Sequence, residues 1–211
     1  MSRASKNEQQ MRQRLAQEAA RVLLESGSRD FAMAKRKAAE HLRASDTRNL
    51  PTNLEVEQAL SEYQRLFRAD AQPQTLLRLR EIARAAMRFL SDFKPRLVGP
   101  VLSGTADVNT TITLYVYCDT YEQLSLHLIN QNIPFENHDK RLRLGPDIYE
   151  VYPCIVFFAE QQKIELVVFQ NTRLGDRPLS PVDGKPMQRA DLAELEMLIH
   201  DSEQDPLSSA S

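Results

Sequence analysis

The sequence predicts an α+β fold, a helical N-terminal region followed by a mixed β-sheet domain with flanking helices. Three observations predict it. Apolar residues recur at three- and four-residue spacing through the first 93 residues. From Lys94 onward that period gives way to short runs of β-branched and aromatic residues. Polar turns rich in Pro, Gly and Asp separate those runs.

The elements follow in order. Met11, Leu15, Ala19, Val22 and Leu23 place one apolar face on a helix over Asn7–Glu25, and Gly27 follows as a stop signal. Asp30 caps a second helix, Phe31–Arg43, whose apolar side is Ala34, Ala38, Ala39 and Leu42. Thr52-Asn53-Leu54-Glu55 has the form of a capping box and opens a third helix to about Phe67. Pro73 starts a fourth, running to about Phe93, with Leu76, Leu79, Ala83, Ala86, Met87 and Leu90 as its stripe. Strands are expected at Val98–Leu102 and Ile112–Tyr117, then a helix from Asp119-Thr120 to about Gln131. Arg141–Leu144 reads as a further strand. Tyr149–Phe158 and Ile164–Phe169 read as an antiparallel hairpin, with Pro153 confining the former to an edge or bulge. A loop with Pro178, Pro181 and Asp183-Gly184 leads to a last helix, Arg189–Ile199. The organisation predicted is a helical region over 1–94, an α/β domain over 95–200 and a flexible tail over 201–211.

Composition bounds the function. With 42% hydrophobic and 27% charged residues the chain is ordinary for a globular protein. It has no apolar run long enough to span a membrane, and its first residues lack the apolar core of a secretory signal, so a cytoplasmic protein with no membrane partner is expected. Cys118 and Cys154 lie inside apolar strand patterns and read as buried thiols rather than a disulfide or ligand pair. No histidine stands beside a cysteine or another histidine at metal-ligand spacing, so no metal site is read from spacing. Charge is uneven: residues 1–99 carry 19 Lys and Arg against 12 Asp and Glu, and the remainder 8 against 17. Lys35, Arg36 and Lys37 on the second helix, and Arg80, Arg84 and Arg88 at i, i+4 spacing on the fourth, are candidate phosphate contacts for a nucleic acid. The same stripes also read as solvated faces partnered by glutamates such as Glu40 and Glu81, or as a clamp on the acidic half.

The stretch Val98–Tyr117, VGPVLSGTADVNTTITLYVY, carries the strongest functional signal. It reads as strand, glycine turn at Ser103-Gly104-Thr105, loop, strand. This frame resembles the nucleotidyltransferase superfamily over about Val98–Gln170. The resemblance implies a mixed sheet and a glycine turn that cradles phosphates through Ser103, Gly104 and Thr105. It also implies two Mg²⁺ ions held by three carboxylates, two of them one residue apart on a strand and so on one face. Thr111-Ile112-Thr113 stands where that pair belongs, and Glu165 stands where the third carboxylate falls. The superfamily's spacer between its Gly-Ser turn and the carboxylate pair is longer than Ala106–Thr110.

A neutral hydroxyl is a poor Mg²⁺ ligand and supplies no charge to offset the cation. The resemblance therefore implies a bacterial-type, catalytically degenerate member, a pseudoenzyme that binds a nucleotide, a nucleic acid or a protein partner and for which no cofactor is assigned. Two alternatives stand beside it. One is an active Mg²⁺-dependent nucleotidyltransferase whose carboxylates are Asp107, Asp119 and Glu165. The bland reading of those groups is a turn residue, a helix cap and a solvent-facing strand residue. The other is a helical nucleic-acid-binding or regulatory module for which the sheet is scaffold.

Overall fold

The structure, a computed structural model, describes residues 3–26, 30–44, 50–67 and 72–204. The chain divides into two compact units: Met1–Gln72 with Pro181–Asp183, and Pro73–Ser180 with Gly184–Ser211.

The first unit is helical. It comprises α1 (Arg3–Ser26), α2 (Phe31–His41) and α3 (Asn53–Phe67). Leu15, Ala19, Leu23, Phe31, Ala34, Ala38, Val56 and Leu60 form its core. Ala19 and Ala20 of α1 and Ala34 and Ala38 of α2 are fully buried, which permits close helix approach. The capping signals act as read. Asp30 accepts from the Met33 amide at 2.9 Å. Thr52 Oγ1 accepts from the Glu55 amide at 3.2 Å while Glu55 accepts from the Thr52 amide at 2.6 Å. Glu55 also takes Arg12 of α1 at 2.8 Å, and these donors hold its carboxyl down at about 2. Asn53 Nδ2 donates to Pro181 O at 2.5 Å, and Val182 packs on the same core.

The second unit is a six-stranded mixed sheet of order β3-β4-β5-β2-β1-β6. Its strands are β1 (Arg96–Val98), β2 (Ile112–Cys118), β3 (Glu136–Gly145), β4 (Ile148–Ala159), β5 (Gln162–Gln170) and β6 (Arg189–Ala190). Only β2 and β5 run parallel. Four helices accompany them: α4 (Gln72–Phe89), α5 (Pro100–Ser103), α6 (Tyr121–Asn130) and α7 (Leu192–Gln204). Side chains alternate across the sheet. Ile112, Leu114, Val116, Ile155, Ile164 and Leu166 face one side and share a core with Leu79 and Met87 of α4, Leu124 and Leu128 of α6, and Leu195 and Ile199 of α7. Tyr115, Tyr117, Tyr152, Cys154, Val167 and Phe169 face the other side, where Leu174 and Met187 pack over them.

Several expectations are corrected. The fourth helix packs into the sheet's core, so the boundary lies at Gln72 and not at residue 94. That helix ends at Phe89, and a 3₁₀ turn over Ser91–Phe93 follows. The strand expected at Val98–Leu102 is Arg96–Val98. Gly99 takes φ 76°, ψ −153°, a conformation open essentially to glycine alone, and Pro100 then starts α5. The third strand begins at Glu136, five residues before the expected Arg141. Asp191, with Glu194 in a capping box, moves the last helix to Leu192–Gln204 and frees Arg189–Ala190 to pair with β1. The expected tail from residue 201 is helical to Gln204, and its remainder lies outside the described residues. β4 is not the edge strand that Pro153 suggests, since it lies between β3 and β5; Pro153 sits where β4 pairs with β3 alone, β5 joining only from Cys154 onward.

Candidate functional site

The second face of the sheet assembles a polar group at one end of the aromatic cluster. The parallel register sets Thr113 of β2 beside Glu165 of β5. Thr113 Oγ1 lies 3.4 Å from Glu165 Oε2. From β3, His138 Nε2 lies 3.1 Å from Glu165 Oε1, and Lys140 Nζ forms an ion pair with Oε2. Cys154 of β4 is directly opposite His138 in the β3–β4 ladder. Burial alone would push the Glu165 carboxyl up. Lys140, by charge and hydrogen bond, and His138 more than offset this and hold it below the ordinary carboxylate range. Burial and the nearby Glu165 push the Cys154 thiol up to about 12. Burial likewise raises the phenols of Tyr115, Tyr117 and Tyr152.

Four neighbouring strands therefore hold the group, and backbone ladders fix the spacing. A segment after β5 covers the aromatic end. Arg189 donates to Leu174 O at 2.8 Å and to Tyr117 Oη at 3.2 Å, which pins that segment to the sheet.

Other predicted site residues lie elsewhere. Asp107 stands before β2 and builds a turn: its Oδ1 accepts from Thr110 Oγ1 and the Asn109 amide, each at 3.0 Å. Asp119 follows β2 and accepts from Asn171 Nδ2 at 2.8 Å. The seven-residue strand separates the two by roughly 20 Å at about 3.3 Å per residue. Asp107, Asp119 and Glu165 thus cannot share a metal, which corrects the relocated-carboxylate set. Ser103, Gly104 and Thr105 do not form the turn at the strand's end. Gly104 caps the far end of α5 with φ 86°, and its amide donates to Pro100 O. The glycine leaving β1 is Gly99.

The arginine stripe on α4 is corrected at Arg80. Arg80 is 7% exposed and donates to Ser202 Oγ at 2.8 Å, to Val101 O and Leu198 O at 3.3 Å and to Leu102 O at 3.4 Å. Arg84 pairs with Glu81, and Arg88 with Glu196 at 2.6 Å. On α2, Lys35 donates to Asn53 Oδ1 at 2.8 Å, while Arg36 and Lys37 are exposed. Cys118 and Cys154 are both free and buried on opposite faces of the sheet, as the sequence implies.

Lys140 and His138 were missed because nothing in a polar, charged edge strand marks them. Only the β3–β4 register brings them to Glu165. Among the described residues no helix is long and apolar enough to cross a membrane. No protein-family model matches the chain, and no curated protein matches it.

Proposed function

We propose that the sheet unit is a nucleotidyltransferase-like domain that has lost two-metal transfer and acts by binding. One observation carries this reading: the site's Glu165 lies beside Thr113 and is already paired with the Lys140 ammonium. Two Mg²⁺ ions require several anionic oxygens at one place. Here two hydroxyls stand in the carboxylate positions and a fixed cation neutralises the remaining acid. The residues present do not fit the metal pair.

The topology supports the family part of the proposal. A short strand leaves through Gly99, passes α5 and returns antiparallel as β2, and β5 lies parallel to β2 with its acid in register. Taking Gly99-Pro100 as the turn also lengthens the spacer to Thr111, which brings it toward the superfamily's longer one. Proline has no amide hydrogen to offer a phosphate, and this is a further loss in the catalytic frame.

The test is incubation of the full chain with labelled ATP, GTP, CTP and UTP, Mg²⁺ or Mn²⁺, and protein and RNA acceptors. No transfer above background is expected. Robust transfer that disappears in Glu165→Gln would overturn the proposal.

A further inference from the structure

We infer that His138, Cys154 and Glu165 form a binding site for a single borderline transition-metal ion of the Zn²⁺ class. One ligand atom from each lies within 4.8 Å of the other two. The three residues come from β3, β4 and β5, consecutive neighbours in the sheet, so the ladder rather than a flexible loop spaces the donors. An imidazole, a thiolate and a carboxylate match this class of ion and mismatch Mg²⁺, which takes oxygen ligands in octahedral geometry.

The Lys140 pair does not compete for the same oxygen. Lys140 and Thr113 approach Oε2, whereas His138 approaches Oε1. An ion bound by Nε2, Sγ and Oε1 leaves Lys140 on Oε2 as an outer partner that orients the carboxylate. Cys154 is completely buried and its sulfur makes one long contact, 3.6 Å to Tyr152 O, so a ligand gained there displaces nothing strong. His138 is the accessible member, with 41% of its side chain exposed, and gives an ion its way in from the edge strand. On binding, the thiol proton leaves to solvent and the thiolate takes its place on the metal. Three protein ligands leave one tetrahedral position for water.

The site shares Glu165 with the nucleotidyltransferase reading but does not rest on it. It uses β3, which that resemblance does not require, and its readout is spectroscopic, so the transfer assay and this one fail separately. The experiment is titration of chelator-treated full-length protein with Co²⁺, followed by competition with Zn²⁺. One equivalent of Co²⁺ is expected to give thiolate-to-metal charge transfer and the strong visible bands of four-coordinate cobalt, which Zn²⁺ bleaches and excess Mg²⁺ leaves unchanged. Cys154→Ser abolishes the charge-transfer band and Cys118→Ser retains it. His138→Ala, a change at a partly exposed edge position that keeps the fold, weakens binding by about tenfold or more. Absence of a thiolate band in the wild type at saturating Co²⁺ would overturn the inference. So would a band that survives Cys154→Ser, or one that His138→Ala leaves at wild-type affinity.

Discussion

Arg80→Met separates a structural arginine from a phosphate contact. Methionine keeps the apolar stem and removes the guanidinium. The group is 7% exposed and has four acceptors, of which Ser202 Oγ at 2.8 Å is the only short one. A well-formed hydrogen bond from a charged donor contributes about 1.5–3 kcal/mol, and the three bonds at 3.3–3.4 Å contribute less each. Burial works against them: it lowers the Arg80 pKa, so part of the gain is lost to desolvation. A net destabilisation of about 2–3 kcal/mol follows. At roughly 2–4 °C per kcal/mol for a chain of this size, melting falls by roughly 5–10 °C. The near-ultraviolet tyrosine signal is the suitable probe, because Tyr115, Tyr117 and Tyr152 are buried in the same unit. Arg88→Met is the control. Its pair with Glu196 is exposed on both sides and costs at most about 1 kcal/mol. If Arg80→Met melts like the wild type and instead abolishes a salt-sensitive nucleic-acid complex, Arg80 is a phosphate contact and not a buried structural tie.

Two further outcomes are expected. Glu55 is held at about 2 against an ordinary 4.5. A depressed folded pKa gives stability that is present above the unfolded value and lost as pH falls through the folded one. The melting difference between wild type and Glu55→Gln is therefore largest at neutral pH and closes between pH 4.5 and about 2, as a series of thermal melts would show; a pH-independent gap contradicts it. Leu114→Ala, at a fully buried position of β2 between β1 and β5, costs about 2–5 kcal/mol in urea unfolding. Leu126→Ala, at a 57% exposed position on α6, stays within about 0.5 kcal/mol, and equal costs would refute the assignment of faces.

The sequence spoke most clearly where burial is greatest. Ile112–Tyr117 and Ile164–Phe169 are covered on both faces, so they read as apolar runs interrupted only by Thr113 and Glu165 and emerge as β2 and β5. Thr52, Glu55 and Asp30 were legible because capping is local chemistry. Short apolar runs are ambiguous between strand and helix, and Val98–Leu102 is both: a strand's last residue, a glycine hinge and a helical turn. The first half of β3, Glu136–Lys140, has no apolar alternation to detect. The candidate site was legible at Glu165 and Thr113 and hidden at its other members. Cys154 and His138 are 16 residues apart in the chain and opposite one another only through a ladder. Arg80 shows the converse error, since i, i+4 spacing fixes a shared stripe but not whether solvent or protein meets it.

The two ends of the sheet have a consequence for how this protein behaves in concentrated solution. An outermost strand offers unpaired amides and carbonyls as a template for another chain. At one end the template is only two residues long, Arg189–Ala190. At the other it is ten residues long but reads ENHDKRLRLG, with acidic and basic side chains in alternation with the few apolar ones. A second copy approaching that strand in register would have to strip water from several charges at once, including those of Asp139, Arg141 and Arg143. The same lysine and histidine that close around Glu165 thus belong to a strand whose charge keeps it from becoming a seed for self-association.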